Sequence, residues 1–358
     1  MEYDKKILVV EMVRLFINGY GNIGRRLATA FNLDSQVDLV GIAKYKADER
    51  AKEANLKGYN VFIPQSLEQE FKKNKLEFTG FIDEAIKKSD IVIDASKEGL
   101  GFNNKQKFYL PMKKRAIFQG GEDIEGKYSV ADIIHNSRVN YDKVVDKSYV
   151  IQGSCNVSGM GRVIQPLIDH FGDRITRYDV TLIRRWADLE DLTEVKDSIE
   201  WDKNPHHQDD VQNFIPDIKL FVDAYKVPSR MMHLHQMSIR FRDKTPTKNE
   251  ILEIFSKEFG VAILNSAKGT AEIRKKALDM KFAHGDTNMI HIHEEVMRTQ
   301  DDVLKISYSD DQTGMVIPEN HLLVQSLIFK KPRKKALAYT DKIFQLSKKK
   351  KILEEEFK

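Results

Sequence analysis

Residues 13–31 read VRLFINGYGNIGRRLATAF, an apolar strand pattern that leads through a glycine-rich turn into a helical pattern. The turn contains Gly19, Gly21 and Gly24 in the spacing G-x-G-x-x-G. Gly19 permits a tight turn, Gly21 lets the backbone approach a pyrophosphate, and Gly24 lets the helix pack closely on the strand. The helix N-terminus then faces the phosphates with its partial positive charge. The segment therefore predicts a dinucleotide-binding turn, and a purely structural glycine-rich turn is the alternative.

Short apolar strands recur after this turn, and helical patterns lie between them. The strand patterns are at residues 37–43, 91–95, 116–119 and 149–151. Such alternation is typical of an α/β fold, here a Rossmann-type doubly wound parallel sheet.

The second strand pattern runs into Lys44-Tyr45-Lys46. An NAD-selective site would have an acidic residue there to bind the ribose hydroxyls, whereas two cations suit a 2′-phosphate. We therefore expect NADP or NAD as the cofactor, and the lysines favour NADP. A pair of solvent-facing lysines is the alternative, because Asp48 and Glu49 follow closely.

The pattern changes after residue 155. Longer, half-alternating strand patterns lie at residues 177–185, 219–227, 233–242 and 303–309. They indicate an α+β catalytic domain built on a mostly antiparallel sheet. We therefore predict a dinucleotide-binding domain at 1–153, a catalytic domain at 154–318, and a C-terminal helix at 319–358 that packs back on the first domain.

Composition excludes several classes of protein. The chain has 358 residues, enough for about two domains, and its 41% hydrophobic and 31% charged residues exclude collagen-like, coiled-coil and wholly disordered proteins. No apolar run approaches the ~18–20 residues of a membrane span, so no membrane partner is expected. The first six residues lack the order of a signal peptide, and one cysteine cannot form an internal disulfide. A cytoplasmic location is therefore expected.

The net charge is +4, and lysine-rich runs lie at residues 330–335 and 348–351. Such runs can bind nucleic acid or anionic lipid. A solvated tail or helix face is the simpler interpretation, so a nucleic-acid partner is not expected.

The one cysteine is the candidate nucleophile. Residues 152–162 read QGSCNVSGMGR, with a strand pattern before Cys155 and a helical pattern after it. The positive potential at a helix N-terminus lowers a thiol pKa and favours the thiolate. A buried structural cysteine is the alternative, but the small polar neighbours favour a reactive one.

The sequence resembles archaeal-type phosphorylating glyceraldehyde-3-phosphate dehydrogenases in seven segments that follow the family's order. They are INGYGNIGRR (17–26), FQGGE (118–122), SCN (154–156), IRRWAD (183–188), PHH (205–207), MHLH (232–235) and VIPEN (316–320). The sequence departs from the family at Val157 and Ser158, where two threonines are usual, and at 311–314, which reads DQTG instead of HQES. Residues 1–13 resemble an extension ahead of the usual first strand.

The resemblance implies a reversible reaction of glycolysis or gluconeogenesis, the oxidation of glyceraldehyde 3-phosphate with inorganic phosphate to 1,3-bisphosphoglycerate. Cys155 would attack the aldehyde carbon, and the resulting hemithioacetal would be oxidised to a thioester. His233 matches the family's general base. The family also implies a homotetramer.

The patterns and the resemblance together give the other candidate site residues. Those for the cofactor are Gly19, Gly21, Asn22, Ile23, Gly24, Lys44, Gly121, Arg185 and Gln312. Those for the substrate are Ser154, Asn156, Arg184, His206 and His207. No metal is expected, because the spacing reveals no carboxylate partner for the histidine pairs 233/235 and 291/293.

Two other functions stay open. One is a related phosphorylated-aldehyde or semialdehyde dehydrogenase that uses the same cysteine chemistry. The other is a nucleic-acid-binding protein that uses the lysine-rich C-terminus.

Overall fold

The computed structural model describes residues 12–358. The predicted N-terminal extension, apart from Met12 and Val13, lies outside the described residues, as do the residues that argue against a signal peptide. The chain divides into two compact units, one up to Phe118 and one from Gln119 onward. The predicted boundary between the dinucleotide-binding and catalytic domains, at 153/154, is a functional division that differs from this structural one, and it stays a prediction.

The first unit contains a parallel sheet with helices between its strands. The strands are β1 (Val13–Asn18), β2 (Val37–Ala43), β3 (Val61–Ile63), β4 (Gly80–Phe81), β5 (Ile91–Asp94) and β6 (Arg115–Gln119). The helices are α1 (Asn22–Phe31), α2 (Glu49–Leu56), α3 (Glu68–Lys73), α4 (Ile82–Lys88) and α5 (Gly101–Asn104). The strand order is β4-β3-β2-β1-β5-β6, and every pair within it is parallel.

This order confirms the predicted Rossmann-type sheet. It grows outward from β1 in both directions, which is what right-handed strand–helix–strand connections produce. All four residues of β5 are buried, as expected for a parallel strand covered on both faces. The glycine-rich turn connects β1 to α1, so the turn lies at the carboxyl end of the central strand.

The second unit contains most of the remaining elements. Its strands are β7 (Ile134–His135), β8 (Tyr149–Gln152), β9 (Ile175–Arg185), β10 (Glu200–Trp201), β11 (Leu220–Val227), β12 (His233–Phe241), β13 (Val261–Leu264), β14 (Ile290–His293), β15 (Arg298–Gln300) and β16 (Val303–Asp310). Its helices are α6 (Cys155–Phe171), α7 (His207–Phe214), α8 (Lys248–Ser256), α9 (Thr270–Asp279), α10 (Val316–Leu327), α11 (Arg333–Phe344) and α12 (Leu346–Glu356).

The large sheet of this unit has the order β10-β11-β9-β12-β16-β14-β13, and β15 pairs with β16. The β11–β9 and β13–β14 pairs are parallel, and the other pairs are antiparallel. The predicted mostly antiparallel sheet is therefore confirmed. On β12 every second side chain, beginning with His233 and His235, is buried. Helix α6 contacts β9 and β16.

The C-terminal segment forms three helices, so the prediction of one helix at 319–358 is wrong. Pro332, which cannot continue a helix, caps α11, and Gln345 adopts a left-handed conformation with φ of 54° between α11 and α12. Leu322 of α10 and Ala336 of α11 pack with Tyr141. Helix α12 packs through Leu353 and its neighbours against β13.

Among residues 12–358 no helix is long and apolar enough to cross a membrane.

Candidate active site

Cys155 is the first residue of α6, where the sequence places it. Ser154 caps the helix, and its Oγ accepts a hydrogen bond from Val157 N at 3.4 Å. Gly120 follows β6 and passes so close that a Cβ atom there would lie 2.4 Å from Ser154 N. The cap of α6 therefore rests against a backbone that has room for glycine alone.

The register of the large sheet brings His233 and Asp310 to Cys155. His233 on β12 is directly opposite Asp310 on β16. The sulfur of Cys155, a ring nitrogen of His233 and a carboxylate oxygen of Asp310 all lie within 4.8 Å of one another. The structure thus brings the two predicted catalytic residues together and adds a carboxyl group that the sequence analysis missed.

Burial controls the charge of this group. It raises the pKa of the Cys155 thiol well above its usual range, and Asp310 adds to the rise while Arg185 opposes it. The pKa of His233 is lowered by burial and by the charge of Arg185. The pKa of Asp310 is raised well above its ordinary value, chiefly by burial. The predicted lowering of the thiol pKa by the helix is therefore wrong, because desolvation outweighs the helix N-terminus.

Asn156 joins two buried histidines beside the sulfur. Its Nδ2 lies 3.2 Å from His207 Nε2, and its Oδ1 lies 2.9 Å from His235 Nε2. Burial lowers the pKa of His207 to about 2 and that of His235 to about 3, so both rings are neutral. The ring of His206 stacks on His207 at 4.3 Å between centroids.

The two neighbouring arginines have separate partners. Arg185 Nη1 lies 3.3 Å from His233 Nε2, and Arg185 Nε donates to Asp188 Oδ1 at 2.8 Å. Arg184 Nη2 donates instead to Asp202 Oδ2 at 3.1 Å. Because adjacent strand residues point to opposite faces, only Arg185 joins the group around His233.

In the first unit, the glycine-rich turn has the geometry that a pyrophosphate site requires. Gly19 has φ of 130°, and a Cβ atom there would lie 2.3 Å from Ala95 O. A Cβ on Gly24 would lie 2.1 Å from Gly19 O, so α1 packs tightly on the turn. A Cβ on Gly21 would have no neighbour closer than 4.0 Å, so the backbone is open to a phosphate there.

Asn22 and Ile23 form the first turn of α1. Asn22 Oδ1 accepts a hydrogen bond from Arg50 Nη2 at 2.8 Å. Arg50 is a cation at the turn that the sequence analysis missed, because it lies on α2, far along the chain from the glycines.

No family model matches the chain. Curated relatives named glyceraldehyde-3-phosphate dehydrogenase match it over most of its length. The relative from Sulfolobus acidocaldarius is 33% identical, covering 94% of this chain and 98% of the relative. The relative from Pyrobaculum calidifontis is 31% identical, covering 94% of this chain and 98% of the relative. That from Archaeoglobus fulgidus is 32% identical, covering 86% of this chain and 90% of the relative.

The chain belongs to the glyceraldehyde-3-phosphate dehydrogenase family. This confirms the resemblance drawn from the seven segments, and it implies a nicotinamide cofactor. Lys44, at the end of β2, is buried, and its Nζ lies 2.7 Å from Asp48 Oδ1. Lys46 is exposed. The pair is therefore not simply solvent-facing.

Three cofactor candidates that the family resemblance implies lie in the second unit, namely Gly121, Gln312 and Arg185, whose contacts with His233 and Asp188 are described above. Gly121 has φ of 107°, a conformation that favours glycine. Gln312 is buried, and its Oε1 has no hydrogen-bond partner among residues 12–358. A buried amide oxygen of this kind is available to a donor on a ligand.

Proposed function

We propose that this chain catalyses the reversible oxidation of glyceraldehyde 3-phosphate to 1,3-bisphosphoglycerate with inorganic phosphate, as a step of glycolysis or gluconeogenesis. One observation carries the proposal. Cys155 is the first residue of α6, and its sulfur lies within 4.8 Å of a ring nitrogen of His233. The curated relatives named glyceraldehyde-3-phosphate dehydrogenase support it.

Cys155 and His233 would share the proton transfers. As the sulfur attacks the aldehyde carbon, a C–S bond forms, and His233 moves the thiol proton to the carbonyl oxygen. His233 then takes the hydroxyl proton of the hemithioacetal as hydride leaves the carbon, which gives the thioester. The nicotinamide cofactor, when bound, accepts that hydride. A phosphate oxygen finally attacks the thioester carbon, the C–S bond breaks, and the sulfur leaves as thiolate. The proton held by His233 then returns to the sulfur, and the proton of the attacking phosphate is released to solvent.

The shifted pKa values define the charges from which these steps start, a neutral thiol and a neutral imidazole. A neutral His233 ring can accept a proton, and burial keeps it neutral. The neutral thiol must lose its proton during the attack, so His233 has to lie near the sulfur. Arg185, whose charge lowers the thiol pKa, would stabilise the thiolate as it forms.

We propose that Ser154, Asn156, Arg184, His206 and His207 bind the substrate and the attacking phosphate. His207 Nδ1 is buried and without a hydrogen-bond partner in the part of the chain that is described, so it is available to a phosphate oxygen. Arg184 bonds to Asp202 at the opposite face from Arg185 and would have to exchange that partner. The first backbone amides of α6 also point away from the helix and suit an anion.

For the cofactor, we propose a preference for NADP over NAD. Lys44 and Lys46 follow the second strand, where a 2′-phosphate would lie. A homotetrameric assembly is a further proposal that rests on the family resemblance. A cytoplasmic location is also proposed, and it rests on the single cysteine and on the signal-peptide argument from the sequence.

A coupled assay tests the activity. Purified protein is mixed with glyceraldehyde 3-phosphate, NADP or NAD, and phosphate, and the reduced cofactor and the acyl phosphate are measured. Erythrose 4-phosphate and aspartate semialdehyde, tested in parallel, address the related dehydrogenases. Cys155→Ser and His233→Gln should abolish turnover and leave the circular dichroism spectrum unchanged. His170→Gln, at an exposed position, is the control and should keep wild-type turnover. Full activity in Cys155→Ser would contradict the thioester mechanism.

The lysine-rich C-terminus gives little support to the nucleic-acid alternative. Lys349 is buried and donates to Asp286 O at 3.2 Å, and Lys350 donates to Ser256 O at 2.7 Å. These ammonium groups hold α12 to the protein. The exposed Lys348 and Lys351 allow a test of this alternative. If the wild type binds RNA in a salt-dependent manner and the substitution of both lysines by Gln abolishes that binding, the nucleic-acid alternative is favoured.

A further inference from the structure

Four buried charged side chains lie together outside the group around Cys155. They are Arg274 of α9, Asp286, Asp311 and Lys349 of α12. Each is more than nine-tenths buried, and the two cations balance the two carboxylates. Taking four charges out of water costs free energy, and the proposed reaction gives none of them a task. What this buried cluster holds in place therefore decides its role.

The buried cluster anchors a turn at residues 311–314, which follows β16. Asp311 Oδ2 accepts a hydrogen bond from Asn288 N at 3.0 Å, and Asp311 Oδ1 lies 3.5 Å from Arg274 Nη1. At the other end of the turn, Gly314 O accepts a hydrogen bond from Asn288 Nδ2 at 2.8 Å. The family usually has HQES here, so the carboxylate at 311 is a feature of this chain. Asn288 therefore binds both ends of the turn.

Lys349 fixes the residues that bind this turn. Its Nζ donates to Asp286 O at 3.2 Å and also to Asn288 Oδ1. Asn288 has φ of 63°, in the left-handed region, and the ammonium group holds its side chain in one orientation. Burial lowers the pKa of Lys349 to about 8, and Asp311 and Asp286 oppose that fall, so the ammonium is mostly charged at neutral pH. Lys349 therefore acts on the turn through Asn288.

The turn carries Gln312, whose side chain has a buried oxygen available to a ligand. Gln312 is 8% exposed, and its Oε1 has no hydrogen-bond partner in the described part of the chain. It lies two residues beyond Asp310, which belongs to the group around Cys155 and His233. A buried amide oxygen accepts an N–H donor, and the carboxamide of a nicotinamide carries one.

We propose that Lys349 and Asp311 are positioning residues for the nicotinamide cofactor, because they hold the turn so that Gln312 Oε1 faces the nicotinamide carboxamide. The inference rests on the proposed dehydrogenase function, which brings a nicotinamide beside Cys155. Without the Lys349 ammonium, Asn288 and the turn lose their support, and Gln312 has to be ordered as the cofactor binds. That ordering costs free energy, so cofactor affinity falls.

Calorimetric titration of the full chain with NADP and with NAD tests this role directly. In Lys349→Met, we expect the Kd of the cofactor to rise about 3- to 30-fold. Lys348→Met is the matched control, because Lys348 precedes Lys349 on α12 and is exposed, and its Kd should equal that of the wild type.

A double variant shows whether Lys349 acts through Gln312. Gln312→Ala alone should weaken cofactor binding, and adding Lys349→Met should weaken it by no more than about twofold further. Steady-state kinetics give a second readout that a loss of stability would not produce. In Lys349→Met, the KM for the cofactor should rise with its Kd, whereas the KM for glyceraldehyde 3-phosphate should stay within about twofold of the wild-type value.

The outcomes separate this inference from the proposed function. Wild-type cofactor affinity in Lys349→Met, or full additivity in the double variant, would overturn the positioning role. A wild-type chain that binds the cofactor but does not oxidise glyceraldehyde 3-phosphate would refute the proposed function, and the affinity comparison would still decide the positioning role. A chain that binds neither NADP nor NAD would overturn both. If Lys349→Met does not fold, Asp311→Asn provides the same comparison, because it removes one charge of the buried cluster with little change in size.

Discussion

Asn156 Oδ1 accepts a hydrogen bond from His235 Nε2 at 2.9 Å, one residue beyond the candidate nucleophile. With this amide orientation, Asn156 Nδ2 donates to His207 Nε2 at 3.2 Å. The two bonds assign the proton of His235 to Nε2 and that of His207 to Nδ1. One amide therefore orients two neutral rings beside the sulfur.

Replacement of Asn156 by Ala should weaken both activity and stability. The change leaves two buried ring nitrogens without partners, which costs about 1–3 kcal/mol of unfolding free energy. We expect kcat to fall about 10- to 100-fold, because each tenfold step corresponds to about 1.4 kcal/mol. Urea unfolding and steady-state kinetics measure the two effects. Asn74→Ala, at the exposed end of α3, is the control, and equal behaviour of the two variants would contradict the role of the bridge.

Gly120→Ala should disturb the start of α6. The new Cβ would lie 2.4 Å from Ser154 N, so the backbone that caps the helix has to move. Overpacking of this kind costs about 1–3 kcal/mol, and the shift of Cys155 should lower kcat as well. Thermal unfolding and kinetics measure both. Gly269→Ala is a matched control, since a Cβ there meets nothing within 4 Å. An unchanged melting temperature and kcat in Gly120→Ala would count against the tight contact.

The elements that local sequence determines were predicted correctly. The turn at Gly19 and Gly24 follows from close backbone contacts that only glycine allows, so three glycines between a strand and a helix sufficed. The placement of Cys155 at a helix start also follows from its neighbours. The C-terminal segment was predicted less well. Pro332, before α11, is a local signal that the one-helix prediction overlooked, whereas Gln345, the left-handed residue between α11 and α12, gives no local signal.

The details of the site depend on residues that are distant in sequence. Asp310 meets His233 only through the register of β12 on β16, and one sequence does not specify that register. The acidic residue at the end of an apolar strand pattern was the one available signal. Cys155 is half-buried, and the desolvation that raises the pKa of its thiol depends on packing that the sequence does not reveal.

The double change of Lys44 and Lys46 to Ala should shift cofactor preference toward NAD. A hydrogen bond between charged groups contributes about 1.5–3 kcal/mol, so the ratio of kcat/KM for NADP to that for NAD should fall about 10- to 100-fold. Lys44 would exchange its contact with Asp48 for the 2′-phosphate. Lys52→Ala, on the exposed face of α2, is the control. An unchanged ratio in the double variant would refute the assignment of these lysines.

The buried pair of Arg162 and Glu319 should make stability depend on acid pH. Glu319 is fully buried and accepts from Arg162 Nε at 2.6 Å and from Ser137 N at 3.0 Å. Burial alone would raise the pKa of Glu319, but the charge of Arg162 and the bond from Ser137 outweigh it and lower the pKa below 4.5. The unfolded chain then binds the proton more tightly than the native one.

The unfolding free energy that this pair contributes is therefore present above the ordinary glutamate pKa and is lost as pH falls through the lower native value. Glu319→Gln should cost about 3–5 kcal/mol near neutral pH, because it leaves Arg162 buried without its counter-charge. The difference between wild type and Glu319→Gln should shrink as the pH falls below 4.5. Urea unfolding at a series of pH values measures it, with the exposed Glu49→Gln as control. A constant difference across the series would mean that Glu319 titrates normally in the native protein.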